Sequence, residues 1–128
     1  MPPDEQTWTA PPLSTASREA EIRYRQGIAA LVAGLSHAED VLDEAVAIDP
    51  DFVLARIAVA VANASDDRPY VAPAQTGRLL RGERQHAEIV EAELTGDRRH
   101  AADLRREHLL EFPGDLLIVW LPTRHLRG

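Results

Sequence analysis

The chain has 128 residues, a formal charge of −7, no cysteine, and fourteen basic residues that are all arginine. That is one domain's length, enough to bury a core without staples, and the missing cysteines exclude disulfides, thiolate metal sites and cysteine nucleophiles. Residues 1–66 hold eleven acids against four arginines and residues 67–128 hold ten of each, so no unopposed basic stripe is present to meet a phosphate backbone.

Residues 1–16 carry four prolines and little to bury, and are expected to form a loose lead-in, with Trp8 the one residue able to pack back. The start, "MPPDEQTWTAPP", has acids where a signal peptide needs a basic end. Ser17 can cap a helix, with Glu19 and Glu21 in the favourable first turn. Ala20, Tyr24, Gly27, Ile28, Leu31 and Leu35 recur on one face of that helix. The uncharged run "QGIAALVAGLSHA", residues 26–38, is too short to span a bilayer. A soluble, cytoplasmic protein with no nucleic-acid or membrane partner is therefore the expectation.

A second helix is expected from His37 to Ile48, with Ala38, Val41, Leu42, Ala45 and Ile48 inward. Asp49-Pro50 should end it, because proline disfavours helical backbone in the residue before it. Proline also suits the start of a helix, so a third is expected over residues 51–63. Polar turn-rich text follows to Pro73, then a short helix over residues 74–80 and a break near Gly82. Helices are expected over residues 83–95 (Ala87, Val90 and Leu94 inward) and 98–112, with a turn at Gly96-Asp97 between them. Pro113-Gly114 stops the second of these, and "DLLIVWLP" makes a short apolar helix before a tail over residues 122–128. Nothing alternates with period two, so the class is all-α.

The series Ala38, Leu42, Ala45, Ile48, Pro50 has offsets of four, seven, ten and twelve. The same offsets from Ala101 fall on Arg105, His108, Glu111 and Pro113. Small, large and small residues before a proline form the second-helix pattern of a tetratricopeptide repeat. With "YRQGIAALVAG", "LDEAVAIDPDFVLARIAVAVA" and "GERQHAEIVEAELTGDRRHAADLRREHLLEFPGD", the chain resembles that family, and most of all the tetratricopeptide repeat protein 38-like group with its bacterial relatives. The resemblance covers residues 14–120. It implies antiparallel helix pairs stacked as a right-handed α-solenoid of about three repeats, in one domain over residues 17–121. It departs from the pattern at Pro69, Pro73, Arg105 and His108, and the first pair is about two residues short. Members of the group are longer, so the chain resembles a short or truncated member.

For function, the resemblance implies a non-enzymatic interaction module that binds a peptide, a helix or its own copy. The concave surface would offer Tyr24, Arg56, Asn63, Glu83 and His86. Arg78, Arg81 and Arg84 recur every three residues and suit a partner's carboxylates, although a solvated face paired with Glu83 and Glu88 is the simpler reading. Leu116, Leu117, Val119 and Trp120 end the chain on an apolar helix suited to self-association as a homodimer. A small-molecule pocket protein or enzyme of a biosynthetic pathway, using His86, Glu83 and Tyr24, stays open, as does a detached regulatory domain. His100 and His108 lie about 12 Å apart along a helix, and no metal-ligand spacing is present, so neither metal nor cofactor is expected.

Overall fold

The computed structural model describes residues 11–65, 67–74 and 79–123, and over these the chain is all-α. Among the described residues six helices form without a strand: α1 Arg18–Val32, α2 Ala38–Ile48, α3 Val53–Asn63, α4 Arg81–Leu94, α5 Arg98–Glu111 and α6 Leu116–Trp120. None is long and apolar enough to cross a membrane. Leu13–Leu80, with α1 to α3, make one compact unit. The helices α4 to α6, with Pro11 and Pro12, make another.

In the first unit, Ser17 Oγ accepts from the Ala20 N–H at 3.1 Å and starts α1. The helix ends on Gly34, whose φ of 75° suits a residue without Cβ. The Leu35 N–H reaches back to the Ala30 carbonyl and the Gly34 N–H to that of Leu31, which satisfies the last-turn acceptors. The chain thus reverses into α2. A Cβ on Gly27 would lie 2.5 Å from Leu42 Cδ2 and 3.3 Å from the Leu42 backbone nitrogen. Only glycine lets the two helices approach this closely. Ala38, Leu42 and Ala45 are buried on the same side of α2, while Leu35 and Ile48 remain exposed, so the inward stripe is narrower than its apolar spacing suggests.

Asp49-Pro50 closes α2, but α3 begins two residues later than expected. The Phe52 N–H donates to the Asp49 carbonyl and the Asp51 N–H to Asp49 Oδ1. These bonds make residues 49–52 a tight turn, so Pro50 sits in a corner and does not open the next helix. Phe52 precedes the first turn of α3, and its buried ring meets Tyr24 at 5.1 Å between centroids, tilted by 55°. Ala74, Leu79 and Leu80 are not helical, and the rest of the helix expected over residues 74–80 lies outside the described residues. So do Trp8, Arg78, residues 1–10 of the 1–16 lead-in and residues 124–128 of the 122–128 tail.

In the second unit, α4 starts at Arg81, so Gly82 lies inside a helix and does not break one. The reason is close approach again: a Cβ there would meet Pro11 Cβ at 2.7 Å and Phe112 Cε2 at 3.2 Å. α4 ends on Gly96, φ 95°, with the Asp97 N–H bonded back to the Ala92 carbonyl. Asp97 then starts α5 by accepting from the His100 N–H. Residues 112–115 repeat the turn of residues 49–52, with the Asp115 N–H on the Phe112 carbonyl, and lead into α6.

Candidate functional site

The two hairpins can be superposed in sequence by their turns. Gly34 corresponds to Gly96 and Pro50 to Pro113, which pairs Tyr24 with His86, Ala45 with His108 and Phe52 with Asp115. Where the first hairpin places an aromatic contact, the second therefore places a charged one. His86 Nδ1 and His108 Nε2 each lie 2.8 Å from Asp115 Oδ2, and all three side chains are at least nine-tenths buried. His108 Nδ1 lies 2.7 Å from Gln85 Oε1.

The protons follow from the acceptors. A carboxylate can only accept, so His86 donates to it through Nδ1–H and His108 through Nε2–H, while the Gln85 amide can meet His108 Nδ1 with its oxygen or its NH2 group. Both imidazoles therefore converge as donors on one carboxylate oxygen. The remaining His86 nitrogen, Nε2, is buried without a hydrogen-bond partner. Burial by itself raises the Asp115 carboxyl, but the two imidazoles outweigh it and hold it well below the usual carboxylate range. Asp115 precedes α6 yet makes no capping bond to it, because its side chain is committed to the histidines.

A groove of about 400 Å³ opens on the α4–α5 hairpin, lined by Arg81, Gln85, Glu88, Leu104, Glu107, His108 and Glu111. Arg81 grips both carboxylate oxygens of Glu111. This contact lowers the Glu111 carboxyl and raises the Arg81 guanidinium. The guanidinium also stands 5.9 Å over the Phe112 ring. Glu88 and Glu107 have no ion pair or hydrogen bond among the described residues. Deeper in the unit, buried Glu93 accepts from half-buried Arg105 at 3.1 Å.

The residues singled out in the sequence scatter through both units. Tyr24, Glu83 and His86 are core side chains, with no surface turned to a partner or a substrate in this conformation. Arg56 donates to the Ala74 carbonyl at 2.8 Å, and Asn63 donates to Val59 within its own helix. Arg84 is exposed, like Arg81. On α6, Leu116 and Val119 are exposed, Trp120 is half-buried and Leu117 is fully buried. His100 stands apart at the start of α5, and no group of three His, Asp or Glu among the described residues is placed to hold a metal ion. Asp115 is the residue that sequence reasoning missed. Its signal was the offset that matches Ala38 to Ala101, which sets it opposite Phe52. Comparison with protein-family models, curated proteins and solved structures finds no match to this chain.

Proposed function

We propose that the chain is a non-enzymatic interaction module whose hairpins stack in the manner of a tetratricopeptide repeat solenoid, and that it binds a basic segment of a protein partner. Three features support the solenoid: both hairpins turn on a glycine of positive φ, Ala38, Ala45 and Ala101 are buried, and a proline sits in each outgoing corner. The acid–base cluster most like catalytic machinery is sealed in the core, which favours binding over turnover.

The observation that carries the reading is the α4–α5 groove. Arg81 is neutralised by Glu111, which leaves Glu88 and Glu107 as uncompensated charges beside the apolar side chain of Leu104. An arginine or lysine of a partner fits this arrangement, its stem on Leu104 and its head between the carboxylates. Fluorescence anisotropy with an arginine-rich and a glutamate-rich helical peptide tests it. The basic peptide is expected to bind, more weakly as salt rises, and several-fold more weakly to the Glu88→Gln/Glu107→Gln variant. Equal binding of both peptides, or an unaffected double variant, would refute it.

A further inference from the structure

We propose that the His86–Asp115–His108 cluster is a proton-operated latch that holds α6 on the α4–α5 hairpin at neutral pH and releases it in mild acid. The cluster joins all three elements of the second unit through one carboxylate oxygen. His86 is supplied by α4, His108 by α5, and Asp115 by the turn that enters α6. Both rings donate to that oxygen, and the Gln85 amide can serve His108 Nδ1 with or without a proton by turning over. His86 has no such freedom, because a proton added to it must go to Nε2, which is buried and has no hydrogen-bond partner. Protonation there buries a further positive charge and adds an N–H donor with nothing to meet. The strain is relieved when Asp115 and α6 leave and the imidazole reaches water. Histidine is the side chain that changes charge between about pH 5 and 8, so the release belongs to that range.

The surrounding charges do not supply the missing acceptor. On α4, Glu83 is buried one turn before His86 and already has a partner, and Glu88 lies in the groove. On α5, Glu107 and Glu111 face the groove beside His108, Glu111 is held by Arg81, and Arg105 is held by Glu93 of α4. The carboxylates around the cluster thus sit on the His108 side or are already engaged. The first hairpin is a built-in control. Its equivalent positions are Tyr24, Ala45 and Phe52, an apolar contact without a titratable proton near neutrality.

Trp120 lies on α6 and reports its release once Trp8, the other tryptophan, is replaced by phenylalanine. In the Trp8→Phe protein, Trp120 emission should shift to the red, and its quenching by iodide should rise, as pH falls from about 8 to 5. Far-UV helicity should change little, because α6 is five residues long. The triple variant His86→Tyr/His108→Ala/Asp115→Phe installs the first hairpin's residues and should abolish the shift. Should the triple variant not fold, nitrogen-detected imidazole NMR of the unaltered chain reads the same states directly. Near pH 7.5, His86 should be the neutral Nδ1–H tautomer, and it should gain its second proton as pH falls toward 5. A Trp120 signal that stays flat with pH, a shift that survives in the folded triple variant, or a His86 already protonated at neutral pH would each overturn the latch.

Discussion

The two hairpins follow one plan and fill it with different chemistry. Both reverse on a glycine of positive φ and both end in the same tight turn through a proline. The first closes its corner with Tyr24 on Phe52 over a seam where Gly27 lets α1 and α2 nearly touch. The second closes the same corner with His86 and His108 on Asp115. An apolar corner is insensitive to pH and tolerates volume errors poorly. A charged corner tolerates no lost partner, and its stability is tied to protons. Backbone design and side-chain chemistry are thus separable in this chain.

The largest expected effect strikes the charged corner. Asp115→Ala leaves two buried imidazole donors without their shared carboxylate and should cost about 3–5 kcal/mol, measured by urea denaturation at neutral pH. Its pH dependence follows from the depressed carboxyl. Relative to an ordinary value of 3.8, the folded Asp115 titrates lower. The Asp115 proton itself therefore costs stability only below that ordinary value, as pH falls toward the lower folded one. Any weakening of the corner between pH 7 and pH 5 comes from the histidines. Phe52→Ala is the matching cut in the first hairpin and should also cost about 3–5 kcal/mol, by the same amount at pH 7 as at pH 5. Similar pH dependence in both variants would erase the distinction between the corners.

Smaller effects sharpen the comparison. Ala45→Leu overfills the buried side of α2 and should cost about 1–3 kcal/mol in thermal melts. Ser17→Ala removes the bond that starts α1 and should cost about 1 kcal/mol. Arg81→Ala breaks an exposed pair with Glu111 and should leave the melting point within experimental scatter.

Much of this plan was legible in the residues. Ser17 as a cap, Gly96-Asp97 as a turn and the buried alanines at 38, 45 and 101 follow from local propensities and helical spacing, which act over a few residues. Gly82 misled because glycine marks both a helix break and a close approach, and only the position of Phe112 and Pro11 decides between them. The inward face of α4 was expected on Ala87, Val90 and Leu94, whereas Gly82, Glu83, His86, Ile89, Val90, Ala92 and Glu93 are the buried residues. Hydrophobic periodicity cannot find a face whose polar members are buried with partners from another helix. His86 stood out in the sequence beside its neighbour Glu83, yet its hydrogen-bond partner stands 29 residues away. Spacing along one helix gives no sign of that.

Amide hydrogen exchange, corrected for intrinsic rates and followed at about pH 7.5 and pH 5, tests the difference between the corners most directly. Protection at Leu117–Trp120 and the end of α5 should collapse in acid while Tyr24–Ala30 and Leu42–Ala45 keep theirs. Equal loss in both hairpins, or unchanged protection in α6, would contradict a proton-dependent second corner.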